Sequence, residues 1–237
     1  MLKFDIYKIT EKLTEFEDKI GVKRVPPVWG DKMSPEEYFH HMNPRVESGR
    51  RLLLPGELGC ALAHLQVYKS ILNHSNSALI LESDIELTKH KLERADDVIE
   101  RTQSCDFIHL SKYRLAFRKS VIGPELYSPD TSQSFWGTAA YFVSVRMAAY
   151  LRSHHERYID LADNWQEIFV NSPYPPIYSP IFPHAGDIST IKGRNAAPQN
   201  PSIGGVLRLR ILRARMVFFS AFRYRRFTRL VSAQLNR

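Results

Sequence analysis

Four consecutive apolar residues, Ala78-Leu79-Ile80-Leu81, run straight into Glu82-Ser83-Asp84. A short unbroken apolar run with polar sequence on both sides is the mark of a strand covered on both faces. Such a strand needs helices above and below its sheet, and the preceding stretch supplies one. Across residues 55–74, Leu58, Ala61, Leu62, Leu65, Tyr68, Ile71 and Leu72 recur at three-and-four spacing, so one face of that helix is core. Helix, polar loop at 73–77 and buried strand together predict an α/β fold with a mostly parallel central sheet.

The remaining segments extend this alternation. Residues 3–9 suit a short strand, and residues 11–20 a helix ended by Gly21. Ser34-Pro35-Glu36-Glu37 is a helix start, with a capping serine, proline in the first turn and glutamate closing a capping box. Residues 88–102 read as a helix and 106–110 as a strand, whereas 111–133 has no clean period and reads as irregular loop. Residues 138–144 are strand-like, with a helix following to about residue 154 and a further helical turn at 165–170. Pro173, Pro175, Pro176, Pro180 and Pro183 then force an extended path.

The acids after the buried run are the first candidates for chemistry. In open α/β sheets, ligands gather beyond the carboxyl ends of the strands. Two acids at i and i+2 on extended chain point the same way. They can meet one divalent cation, or a cation and a sugar hydroxyl, and hard cations such as Mg²⁺ and Mn²⁺ favour such oxygen ligands. Glu, Ser and Asp are equally common in a solvated turn after a strand, and spacing alone leaves both readings open.

Residues 54–64, Leu54-Pro55-Gly56-Glu57-Leu58-Gly59-Cys60-Ala61-Leu62-Ala63-His64, followed by Leu79-Ile80-Leu81-Glu82-Ser83-Asp84, resemble glycosyltransferase family 25, the sugar transferases of lipopolysaccharide and lipooligosaccharide synthesis. The family pattern is a G-E-x-G-C-x-x-S-H helix start and then I-L-E-D-D at the end of a strand. Gly56, Glu57, Gly59, Cys60 and His64 match, with Ala63 at the serine; Glu82 and Asp84 match the outer acids, with Ser83 at the middle one. Residues 137–144 resemble the family's G-x-x-A-Y-x-x-S strand, Asp163 stands where a later aspartate is expected, and Gly186-Asp187-Ile188 resembles its S-D-I.

The resemblance implies a GT-A-like fold and transfer of a hexose, galactose ahead of glucose, from a UDP-sugar to a lipid-linked saccharide acceptor, with inversion. It implies Mn²⁺ or Mg²⁺ held by Asp84 and Glu82, with His184 as a further ligand. Glu57, His64, Glu82, Ser83 and Asp84 would surround the nucleotide-sugar, and Asp163 or Asp187 would take the acceptor proton. Several have a plainer alternative: the helix face that carries Glu57 and His64 suits a brace against the sheet. Asp163 suits an N-cap ahead of Trp165, Glu57 suits the positive end of its helix, and His184 suits a loop. A sugar-nucleotide pyrophosphorylase would need a glycine-rich phosphate loop after the first strand, and residues 10–20 contain no glycine.

Charge divides the chain. Asp187 is the last acidic residue, and eleven lysines and arginines follow it. Subtracting those eleven from the formal charge of +8 leaves residues 1–187 at −3. Within 206–231, arginines alternate with Leu, Ile, Phe and Tyr, a pattern suited to a helix lying on an anionic bilayer. Phosphate contacts to nucleic acid or an oligomerising helix are the rival readings. The expected organisation is therefore a catalytic domain over 1–200 and a basic membrane-surface extension over 201–237. The two cysteines, Cys60 and Cys105, show neither metal-ligand spacing nor a disulfide framework and read as free thiols. The tail's longest apolar run, 216–222, is too short to span a bilayer. These features predict a cytoplasmic protein, peripheral at the inner face of a bacterial inner membrane. The alternative is a non-catalytic protein that binds membrane or nucleic acid through its tail.

Overall fold

The computed structural model describes residues 2–112, 119–129 and 136–183. His184, Asp187 and the basic stretch 201–237 lie outside the described residues. The chain begins with β1 (Asp5–Ile9), α1 (Glu15–Lys19) and β2 (Lys23–Val25), then a 3₁₀ turn over Gly30–Lys32. Helices α2 (Pro35–Glu47) and α3 (Pro55–His74) lead into β3 (Ala78–Glu82). Helix α4 (Lys89–Arg101) is followed by β4 (Phe107–Lys112), β5 (Lys119–Gly123), β6 (Leu126–Pro129) and β7 (Ala140–Val143). Helices α5 (Val145–Arg157) and α6 (Trp165–Asn171) precede the last described strand, β8 (Pro176–Pro183).

The helix starts follow from side chains at their ends. Ser34 and Glu37 form the predicted reciprocal box at α2, with Pro35 in the first turn. Helix α3 has no hydroxyl at its cap; instead Glu57 reaches back to the N–H of Leu54 at 2.8 Å. The apolar run predicted to be buried on both faces is so: Ala78, Leu79, Ile80 and Leu81 are all fully buried. Ala78 and Ile80 pack with α3 and α5, and Leu79 and Leu81 with α4 on the opposite face. Each large side chain so buried contributes about 1.5–3 kcal/mol.

The sheet is mixed, which corrects the expected mostly parallel one. Its order is β2-β1-β3-β7-β4-β8-β6-β5. The pairs β1–β2, β1–β3 and β4–β8 are parallel. The pairs β3–β7, β4–β7, β5–β6 and β6–β8 are antiparallel. An apolar pattern reports burial and not direction, so the reversal of β7 left no mark in it. The segment read as irregular loop holds the β5–β6 hairpin, turned at Gly123-Pro124-Glu125 with Glu125 at φ 55°.

Two glycines fix how α3 meets the loop after β2. A Cβ on Gly59 would lie 2.1 Å from the Val28 carbonyl oxygen, and one on Gly30 would lie 1.7 Å from that of Pro55. Backbone therefore touches backbone where α3 begins, and only glycine allows it. Gly59→Ala is thus expected to destabilise the protein by about 1–3 kcal/mol through overpacking, although alanine in a helix interior ordinarily gains about 1 kcal/mol over glycine. Urea unfolding of both forms reads the sign directly.

Candidate active site

Strands β1, β2, β3, β4 and β8 share one direction, so their carboxyl ends meet at one edge of the sheet. Because β7 runs the other way, its beginning lies at that same edge. Glu82 closes β3 there, and its N–H donates to the Ala139 carbonyl at 2.9 Å. Alternation along β3 places Glu82 on the face of Ala78 and Ile80, under α3. The Glu82 carboxylate accordingly meets α3: its Oε1 lies 3.2 Å from His64 Nε2 and also accepts a hydrogen bond from the Thr138 hydroxyl.

His64 is fully buried, and its second ring nitrogen continues the network. Nδ1 lies 2.7 Å from the Tyr141 hydroxyl, which lies 2.9 Å from that of Tyr68. Burial raises the pKa of both tyrosines, Tyr141 well above the ordinary phenol value, so both carry their protons. Cys60 stands one helical turn before His64. Its sulfur, a His64 ring nitrogen and a Glu82 oxygen lie within 4.8 Å of one another. Cys60 and Cys105, 45 positions apart, have no ligand spacing between them. The i, i+4 relation to His64 was the signal available.

Ser83 and Asp84 are exposed, beyond the strand. Chain extension stops at Glu82: the Ile85 N–H donates to the Glu82 carbonyl at 3.1 Å, closing a turn over 82–85. Asp84 is therefore not two extended residues from Glu82, and the expected alternation does not govern the two carboxylates. Lys8 anchors the far side of this turn. Its buried ammonium, paired to Glu17 at 2.5 Å, donates to the Ile85 carbonyl at 2.9 Å.

Glu57 is buried at the start of α3. Its oxygens accept from both terminal nitrogens of Arg51, at 2.8 and 2.9 Å, besides the capping contact to Leu54. Asp163 is half-buried just before α6, where Asn164 and not Asp163 occupies the cap position. Its segment is clamped on both flanks: Arg45 and Arg50 pair with Asp160, and Arg50 also with Glu167. Trp165, two residues on, donates its indole N–H to the Gly137 carbonyl at 2.6 Å, beside Thr138. That same carbonyl accepts from His109 Nε2 at 3.0 Å, with Gly137 itself at φ 101°. Tyr141 stands in the 137–144 motif, but no sequence signal pointed to Thr138 or His109, and pairing across β3, β7 and β4 is what brings all three to this corner.

The model of a protein family described as "Glycosyltransferase family 25 (LPS biosynthesis protein)" matches residues 8–165, two thirds of the chain. No curated protein matches. Among the described residues, no helix is long and apolar enough to cross a membrane.

Burial holds the pKa of His109 down at about 4 and that of His155 at about 3, so both are neutral in the folded protein. The unfolded chain takes up these protons first, near pH 6.5. Stability should therefore fall as pH drops below 6.5, by on the order of 2 kcal/mol per histidine at pH 5. Urea midpoints at pH 7 and pH 5 check this, and His109→Gln should flatten part of the slope.

Proposed function

The chain belongs to glycosyltransferase family 25, the glycosyltransferases of lipopolysaccharide biosynthesis, and on that premise we propose that it moves a hexose from a UDP-sugar to a lipooligosaccharide or lipopolysaccharide acceptor. Galactose is the first donor to try. The observation that carries the reading is Glu82: a carboxylate at the carboxyl edge of the parallel strands, oriented by Thr138 and His64 and followed by the exposed Ser83-Asp84 turn. This is where an α/β sheet binds its ligands, and a GT-A-like donor site fits that edge.

Glu82 and Asp84 are hard oxygen donors, and that chemistry fits Mn²⁺ or Mg²⁺ shared with substrate phosphates. When bound, such an ion supplies charge stabilisation to the departing diphosphate. The chain's own residues do the rest. The acceptor oxygen forms its bond to the sugar's anomeric carbon while the carbon–oxygen bond to UDP breaks, with UDP keeping the electron pair. Inversion follows from that direct displacement. Asp163 is our choice for the carboxylate that takes the acceptor proton; its support is the clamped segment joined to Gly137 through Trp165. Asp187 and His184, the alternative base and further ligand, stay outside the described residues. Holding acceptor, anomeric carbon and leaving oxygen in line is a positioning task, and the buried network behind Glu82 suits it.

The basic stretch 201–237 completes the reading as a peripheral anchor on the anionic inner face of the inner membrane. Its support is composition: nine arginines and no Asp or Glu within 201–237.

Asp84→Ala should lower Mn²⁺-dependent turnover of the accepted UDP-sugar by at least about 100-fold, the usual scale for losing transition-state charge stabilisation, with the melting temperature unchanged. Wild-type turnover in that variant contradicts the assignment. For the anchor, liposomes containing anionic lipid should float the full chain and not one ending at Ser202; equal flotation removes the membrane role.

A further inference from the structure

We propose that Cys60, His64 and Glu82 form a three-ligand site for a zinc-class transition-metal ion, with a fourth position open. The three come from two elements made to meet. Cys60 and His64 are i and i+4 on α3, so they share one face. Glu82 enters that face from the end of β3 by strand alternation. Sulfur, nitrogen and oxygen ligand atoms lie within 4.8 Å of one another. Ligands around tetrahedral zinc stand about 3.3–3.8 Å apart, given bonds of about 2.0–2.3 Å. His64 and Glu82, at 3.2 Å, are already close to that spacing. Bringing in the Cys60 sulfur from within 4.8 Å takes at most about an ångström, within the reach of a side-chain rotation.

The surroundings suit metal ligation. A ligating histidine ordinarily donates its other ring N–H to a fixed acceptor, which orients the ring and selects the tautomer. Here the Tyr141 hydroxyl stands 2.7 Å from Nδ1, braced in turn by Tyr68. Glu82 likewise takes a hydrogen bond from Thr138. His64 is fully buried while Cys60 and Glu82 are partly exposed, so the open position faces their side. Binding displaces the thiol proton, and the Cys60 thiolate makes the set select zinc or cobalt over Mg²⁺ and Mn²⁺. This separates it from the hard-cation pair Glu82 and Asp84. The site shares Glu82 with the proposed donor site but does not depend on the transfer reaction.

The test is a Co²⁺ titration of the full chain, stripped by chelator under reducing conditions and free of sugar nucleotide. One equivalent should give a thiolate-to-cobalt charge-transfer band and the strong visible bands of four-coordinate cobalt. Zn²⁺ should bleach both, and excess Mg²⁺ should leave them. Cys60→Ser should abolish the charge-transfer band while keeping Cys105, whose thiol burial pushes up to about 12. Cys60→Ser and His64→Asn should each weaken Zn²⁺ binding at least tenfold. Tyr141→Phe should keep the band and weaken binding about tenfold, the usual effect of removing an outer partner. Absence of the charge-transfer band in the wild type overturns the proposal, as does a band and zinc affinity unchanged in Cys60→Ser. Should His64→Asn fail to fold, the one-atom Cys60→Ser change still decides. Failure here leaves donor turnover standing, and failure of donor turnover leaves this spectrum standing.

Discussion

The reversed strand β7, set between β3 and β4, is the constraint on which the site depends. Had a parallel strand taken that place, it would have ended beside Glu82 and not begun there. Because it begins there, Gly137, Thr138 and Ala139 enter the sheet at the edge where β3 leaves it, and Thr138 reaches the Glu82 carboxylate. The same pairing sets Tyr141 opposite Ile80, on the face covered by α3, within reach of His64. His109 of β4 and Trp165 of α6 then converge on the Gly137 carbonyl. One strand direction thus assembles the network that orients Glu82.

The second constraint is close packing at the start of α3. Gly30 and Gly59 let the helix lie against the loop after β2 with no side chain between them. That approach sets the height of α3 over the sheet and hence the reach of Cys60 and His64. Arg51, Glu57 and the Leu54 N–H lock the same helix end, so Glu57 works as a brace there. A motif residue expected to touch the nucleotide is thereby tied to the geometry that positions His64.

Much of the fold was legible because burial and capping are local. Helix α3 and the two-faced burial of Ala78 to Leu81 follow from spacing alone, as does the Ser34 box. Strand β7 was legible within 138–144, but strand direction is a property of pairing partners far apart in sequence, which is why its reversal and the mixed sheet were not. The three-residue β2 is too short for a period, and the β5–β6 hairpin lies in a segment without one, where Gly123-Pro124 is the local turn signal. In the site, Glu82 and His64 were legible as motif residues. That they would face each other needed the register of β3 and the height of α3. The extended geometry assumed for Glu82 and Asp84 failed because the Ile85 N–H folds back on Glu82 while Lys8 holds the Ile85 carbonyl from beneath.

If the carboxyl edge at Glu82 holds the sugar donor, a crystal structure of the full chain with UDP and Mn²⁺ shows it most directly. The account predicts the diphosphate beside residues 82–84, with the ion on the Glu82 or Asp84 carboxylate. UDP bound at the opposite edge of the sheet, with the 82–84 turn untouched, would contradict it.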